Sequence, residues 1–310
     1  MQRTDIEVCG PGPLWMRLPA TSANLGPGFD AVGLALGLYL TIEARVAADH
    51  VFRIRASGRD SEQVGSLEGN LMLHTYGALA RGAPALELDV MNEIPLGMGC
   101  GSSAAALLAG VLLADHFGEL GLTRQQVLEQ ACLREGHPDN VAACLLGGFT
   151  VSSMQDGVVS AATFAGAGLP WKFFLALPGE SLATVTARAL LPDHYRRSDA
   201  VANIQATGLL VSAFALGRAD LLQAAMRDRL HQPYRQEACP LLPKLLPLAG
   251  SNGVYGVALS GAGPSVLLIT AVDVSEAVLL EKVIRATGDP GVQCMQVSVG
   301  AGLETATKIP

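Results

Sequence analysis

Residues Gly97-Met98-Gly99-Cys100-Gly101-Ser102-Ser103 put three glycines in five positions directly ahead of the apolar run Ala104-Ala105-Ala106-Leu107-Leu108. Glycines there leave backbone N–H groups bare, and the start of a helix adds the positive end of its dipole, so the segment could hold a phosphate. The commonest phosphate loop requires Gly-Lys-Ser/Thr, yet no lysine occurs between Arg81 and Arg124. The segment is therefore either a different kind of nucleotide loop or only a tight turn between a strand and a helix.

Three further segments carry groups that could do chemistry. Pro19 to Asp30 (Pro-Ala-Thr-Ser-Ala-Asn-Leu-Gly-Pro-Gly-Phe-Asp) sets hydroxyls, the Asn24 amide and the Asp30 acid on a turn stiffened by Gly26, Pro27 and Gly28. An ordinary turn would use the same residue types. Glu135-Gly136-His137-Pro138-Asp139-Asn140 brings an imidazole, a carboxylate and an amide together just past a predicted helix, where they could position or deprotonate a hydroxyl nucleophile. His137 could equally be a loop histidine with one hydrogen bond. Glu129, upstream on that helix, lies outside its apolar face and reads by itself as a solvated carboxylate. Ser260-Gly261-Ala262-Gly263-Pro264-Ser265 is a second glycine-rich turn that is either a hairpin connection or a second backbone wall around one ligand.

These groups need a frame. Trp15–Ala20, Ala31–Val46, Val51–Ala56 and Leu86–Glu93 read as strands, and Asn70–Arg81 as a helix. Helices are also predicted over Ser102–Phe117, with a hydroxyl at its cap, and from the Thr123 cap to about Arg134, stopped by Gly136 and Pro138. Gly147–Thr150 opens a hairpin-like region. A small-residue stretch near Ala165 separates a second half, with strands at Trp171–Leu177, Val254–Ser260, Ser265–Thr270 and Val292–Val299. Its helices are predicted at Ala200–Leu216, Leu221–Arg229 and Val274–Thr287. Strands and helices do not alternate evenly, which points to a two-domain α+β protein rather than a doubly wound sheet.

Composition narrows the function classes. A net charge of −7 with no basic run argues against a nucleic-acid partner. Half of the 310 residues are hydrophobic, but the longest unbroken apolar stretch, Ala104–Ala114, falls short of the roughly 18 residues that a membrane span needs. No membrane partner is expected. The six cysteines have no C-x-x-C spacing and read as free thiols in a reducing cytoplasm. Residues 1–14 read as an extension without an assigned role.

Taken in order, the four segments resemble the GHMP family of small-molecule kinases. The loop through Gly97–Ser103 is similar to that family's own phosphate loop, and Ser260–Ser265 to its third motif. Pro19–Asp30, Glu135–Val141, Thr184–Pro192 and His231–Arg235 resemble the branch that phosphorylates the side-chain hydroxyl of L-homoserine with ATP in threonine biosynthesis. The resemblance runs from about residue 15 onward. It implies an N-terminal mixed-sheet nucleotide-binding domain over 15–165 and a C-terminal ferredoxin-like α/β sandwich over 166–310.

The resemblance also implies roles. ATP would lie against Pro95, Leu96, Gly97, Met98, Gly99, Cys100, Gly101, Ser102, Ser103 and Ala104, with Gly261 and Gly263 opposite. Ser103 and Glu129 would hold Mg²⁺, which favours hard oxygens. Asn24, Asp30, His137 and Asp139 would surround L-homoserine, with Thr184, Arg188 and Arg235 on its carboxylate. Asp139 is a base in related kinases, but here the resemblance favours substrate binding. Cys100 replaces the usual apolar residue, leaving a thiol that could be alkylated and that ATP would protect. A homodimer is implied. The alternatives are a family kinase for another small alcohol, such as threonine or mevalonate, and a non-catalytic metabolite-binding relative.

Overall fold

A computed structural model describes residues 11–164, 168–182 and 184–307. The first sheet has seven strands, and six of them come from the first half of the chain. These are β1 (Leu14–Asn24), β2 (Gly28–Val46), β3 (Arg53–Gly58), β4 (Leu86–Asn92), β5 (Phe149–Gln155) and β6 (Val158–Phe164). The second sheet, β7 (Lys172–Leu177), β8 (Val254–Leu259), β9 (Val266–Thr270) and β10 (Gln293–Val297), is antiparallel in the order β10-β7-β9-β8. That order and the helix Glu276–Thr287 beside it match the expected ferredoxin-like sandwich. The seventh strand of the first sheet is β11 (Glu304–Ala306), which pairs with β1.

The first sheet is mixed as expected, because β3 runs parallel to β4 while its other pairings are antiparallel. Its central strands alternate little, since β1 is buried from Leu18 to Asn24. Helix Ser102–Phe117 covers this sheet and is buried along Ala104, Leu108, Val111 and Leu113. Truncating Leu108 or Leu113 to Ala would cost about 2–5 kcal/mol by the usual cavity penalty. Small residues let the helix lie close to its neighbours. A Cβ on Gly110 would meet the Met72 carbonyl and Thr75 of helix Leu71–Leu79 at 2.6 Å.

Several expectations need correction. The helix predicted to begin with a hydroxyl cap instead begins after Gly101, which is left-handed and makes no side-chain cap bond. Asp139 is not in a loop but is the first residue of a buried helix, Asp139–Leu146. The helix predicted over Leu221–Arg229 is reduced to Leu222–Ala225. The Asp228 carboxylate accepts the backbone N–H groups of Leu230, His231 and Gln232, an arrangement that competes with helix continuation. Strand β11 and helix Gln232–Arg235 were not foreseen. The expected boundary at Ala165 and most of the N-terminal extension, Met1 to Gly10, lie outside the described residues.

One helix, Arg197–Leu216, is long and apolar enough to cross a membrane by length and composition. It packs on the protein body through Ala206, Leu210, Ala213 and Phe214, and its Asn203 and Thr207 side chains donate to the Pro27 carbonyl.

Candidate active site

The loop Gly97–Ser103 is held from behind by its carbonyl groups. Gly97 O accepts from Leu182 N–H at 3.0 Å, Gly99 O from the Ser260 hydroxyl at 2.8 Å, and Cys100 O from Thr21 N–H at 3.0 Å. Among the described residues, none of the N–H groups from Gly97 to Ser103 donates to a protein acceptor. With the carbonyls taken up and the first turn of the helix uncapped, the free donors collect on the cleft side.

Gly99 and Gly101 are required for a further reason. Both have left-handed backbones, with φ of 72° and 70°. A Cβ on Gly99 would overlap the Ser260 and Gly263 carbonyls, and one on Gly101 would overlap the Thr21 hydroxyl. The second glycine turn therefore packs directly on the first. Gly261 lines the cleft, while Gly263 stands behind Gly99.

The same cleft is lined by Asn24, Asp30, Gly97, Gly99, Cys100, Gly101, Ser102, Ser103, Glu135, His137, Asp139, Arg188, Arg235 and Gly261. Of the expected nucleotide residues, Pro95, Leu96, Met98 and Ala104 support the loop from outside that lining. Asn24 spends its amide on the scaffold, since Nδ2 donates to Gly261 O at 2.9 Å and Oδ1 accepts from Asp30 N–H at 3.0 Å. Thr184 begins the helix Thr184–Ala189, and its side chain lies outside the described residues.

The two residues expected to hold a metal, Ser103 and Glu129, are not brought together. Glu129 is not among the residues lining the cleft, and its carboxylate accepts from Gln125 Nε2 at 2.8 Å. Glu135 stands in its place, accepting from the Ser103 hydroxyl at 2.8 Å. Burial pushes the Glu135 carboxyl above the usual range, and the opposing pull of His137 and Ser103 does not offset it. A carboxylate destabilised in this way, beside a hydroxyl oxygen, suits a hard divalent cation. Sequence reading passed over Glu135 although it adjoins the His137–Asn140 segment.

At the other end of the cleft the groups are charged. Asp139 Oδ1 accepts from His137 Nδ1 at 2.6 Å, Asn140 N–H at 2.7 Å and Asn140 Nδ2 at 3.2 Å. Asn140 is in turn gripped by the Thr21 hydroxyl at 2.7 Å. The His137 ring is drawn down by burial, but the bond and charge of Asp139, with Asp30 and Glu135, outweigh this and leave it above the usual histidine range. Asp30, His137 and Asp139 lie close enough together for their polar atoms to share one ligand. Arg188 forms a two-point pair with Asp30, at 2.9 and 2.7 Å.

Arg235 is different, being 1% exposed with no carboxylate partner among the described residues. Burial, joined by the charge of Arg188, pulls its guanidinium below the usual arginine range. A buried cation without an anion marks a place for an anionic group.

Known proteins give the same reading. The chain matches the model for the GHMP kinases N terminal domain over residues 70–148 and that for GHMP kinases C terminal over residues 210–288. It is 45% identical over 280 residues to a homoserine kinase of Solibacter usitatus, covering 88% of this chain and 90% of that one. A homoserine kinase of Synechocystis is 39% identical, covering 89% and 92%. A solved homoserine kinase from Cytophaga hutchinsonii shares the fold, with a TM-score of 0.77 at 24% identity and coverage of 95% and 98%. Two family models that together match more than half of the chain, and relatives of 39–45% identity over most of its length, show that the chain belongs to the GHMP kinase family.

Proposed function

We infer that the protein transfers the γ-phosphoryl group of ATP to the side-chain hydroxyl of L-homoserine, giving O-phospho-L-homoserine and ADP. The observation that carries this reading is the buried, anion-free Arg235 in one cleft with Asp30, Asp139 and the amide-lined loop. A zwitterionic amino acid satisfies both signs of charge there. Mevalonate would bring a carboxylate but leave the acids without an ammonium group, and a sugar would bring neither.

The residues divide the work as phosphoryl transfer demands, mostly by positioning and charge neutralisation. The N–H groups of Gly97–Ser103 receive the ATP phosphates, with Gly261 on the opposite wall. Ser103 and Glu135 are the ligands that would hold Mg²⁺, which supplies positive charge where this loop lacks a lysine. Arg235, aided by Arg188, binds the substrate carboxylate. Asp30 and Asp139 take its ammonium group and orient the hydroxyl. Three donors on Asp139 Oδ1 fix the carboxylate's direction, which suits a binding role. The hydroxyl oxygen then attacks the γ-phosphorus directly as the P–O bond to ADP breaks, and its proton passes to an oxygen of the transferred phosphoryl group and on to solvent.

The chain is also read as a homodimer. Val201, Ile204, Leu209 and Leu216 give helix Arg197–Leu216 an exposed apolar side that suits a second copy. Light scattering on the purified protein tests this, and a monomer at micromolar concentration would overturn it.

The deciding assay follows ADP release with L-homoserine, L-threonine, L-serine and mevalonate. Turnover is expected to be highest with L-homoserine, and activity only with another alcohol would overturn the substrate while leaving a kinase. Asp139→Asn is expected to raise the KM for homoserine more than it lowers kcat. A large loss of kcat at unchanged KM would make Asp139 the base.

A further inference from the structure

The anion-free arginine is itself held by a group with no assigned role. Arg235 Nη1 lies 3.0 Å from His231 Nδ1, and Arg235 Nε donates to the Ala187 carbonyl at 3.1 Å. The His231 ring is fully buried, and its Nε2 lies 2.7 Å from the carbonyl of Gly26. Gly26 belongs to the turn that carries Asp30, and Phe29 of that turn stacks on the ring at 5.2 Å.

These partners leave one protonation state. A carbonyl only accepts, so Nε2 must carry a hydrogen, while a guanidinium only donates, so Nδ1 must be bare. The ring is therefore a neutral Nε2–H tautomer, assigned from its hydrogen-bond network. The charged groups around it are Asp228, with Oδ2 at 3.5 Å from Nε2, then Arg235 and, farther off, Asp30. Burial, reinforced by the charge of Arg235 and opposed by that of Asp228, holds the ring below the usual histidine range. An imidazolium would face the guanidinium with no lone pair to offer.

We propose that His231 is a positioning residue that fixes Arg235 against the Gly26–Asp30 turn and so sets the spacing between the subsites for the substrate's carboxylate and ammonium groups. The ring touches no reacting atom. It bridges the two oppositely charged subsites, and its Nδ1 and the Ala187 carbonyl are the hydrogen-bond acceptors of Arg235 among the described residues, while the Phe29 ring lies 5.5 Å from the guanidinium. The substrate part of this proposal rests on the reading of L-homoserine as acceptor.

The test compares His231→Gln, whose longer amide can keep the bond to Gly26 but not the acceptor for Arg235, with His231→Asn, whose shorter amide can keep that acceptor. For His231→Gln the homoserine KM is expected to rise at least about tenfold, the cost of losing a hydrogen bond to a charged group. Its kcat and ATP KM should stay unchanged, and His231→Asn should recover most of the affinity. The inhibition constant of 3-aminopropan-1-ol, which keeps the ammonium and hydroxyl but has no carboxylate, should be the same in wild type and both variants. Equal weakening of homoserine and the amino alcohol, or a joint fall in kcat and ATP affinity, would make the ring merely structural and overturn the proposal.

Nitrogen-15 NMR of the wild-type protein near neutral pH gives an outcome independent of folding of the variants and of the acceptor's identity. A bare Nδ1 that shifts in Arg235→Lys is expected. A protonated Nδ1 would overturn the proposal, whereas absence of homoserine turnover with the bare Nδ1 present would overturn only the choice of substrate.

Discussion

The segment Gly97–Ser103 gives the cleft backbone amides and hydroxyls and no charged side chain of its own, whereas Asp30, His137, Asp139, Arg188 and Arg235, brought in from other parts of the chain, crowd ionisable groups into the same cleft. The contrast follows from what each end has to recognise. A polyphosphate can be held by converging N–H groups whatever the side chains, provided that the backbone can come close. An amino-acid acceptor must be told from other small alcohols, and only side chains of both signs can do that. The first end should therefore be intolerant of added volume and the second of altered charge.

The largest effect should come from volume. Gly99→Ala puts a methyl into the Ser260 and Gly263 carbonyls at a left-handed backbone position, displacing the loop from its donors. We expect kcat/KM for ATP to fall by about 100-fold or more, the scale of losing preorganised anion donors. Steady-state kinetics with ATP varied checks this, and an active variant with unchanged ATP KM would break the comparison.

Next comes the metal pair. Glu135→Gln should lower activity by about 10- to 100-fold and raise the Mg²⁺ concentration needed, the usual penalty for a lost ligand-shell contact. Without metal it should leave the melting temperature equal or higher at neutral pH, because the charge removed is one that burial disfavours. Glu129→Gln, altering a group outside the cleft, should stay within about twofold, as surface substitutions do. If Glu129→Gln proved the more damaging of the two, the metal would belong with Glu129.

A charge substitution at the other end should act on one substrate only. Arg235→Lys should raise the homoserine KM by about 30-fold with the ATP KM unchanged, since a lysine loses the two-point geometry and the bond to His231. Arg188→Lys should cost less, because its exposed guanidinium already shares itself with Asp30.

The smallest expected effect is at Cys100. Its thiol is 1% exposed and burial pushes it up to about 12, so it does not behave as the reactive group that its place in the loop suggested. Iodoacetamide at pH 8, followed by peptide mass spectrometry, should leave Cys100 unmodified with or without ATP. Rapid labelling that ATP prevents would restore the reactive thiol.

The phosphate loop was legible in the sequence because backbone geometry demands glycine and because hydroxyls at a helix start are local signals. The α+β class was legible from the pattern of elements, whereas the two sheets came only from the family resemblance. Which carboxylate meets Ser103 was not legible. Glu129 and Glu135 lie on one helix about 9 Å apart along its axis. Only the packing of that helix end on Ser103 distinguishes them, although the nearness of Glu135 to His137 and Asp139 was a usable hint. No helix was assigned at Asp139, since Gly136 and Pro138 read as breakers that end the preceding one, yet Pro138 is the cap residue of the next helix and Asp139 an acid in its first turn. His231 entered the sequence reading only as the start of a resembling segment and was given no role, because a buried neutral ring is recognised only by its partners. Strand β11 has no periodicity to read, since Glu304-Thr305-Ala306 becomes a strand only by lying against β1.

That last pairing bears on how the chain comes off the ribosome. Trp15 faces Ala306 across the β1–β11 ladder, so one edge of β1 is covered by residues made about 290 positions later. Until then β1 presents unpaired backbone groups on one side, and the first sheet cannot be completed during synthesis of its own half. Such long-range closure slows folding. Until Glu304–Ala306 has been made, that edge of the nascent polypeptide is open to pairing with other chains.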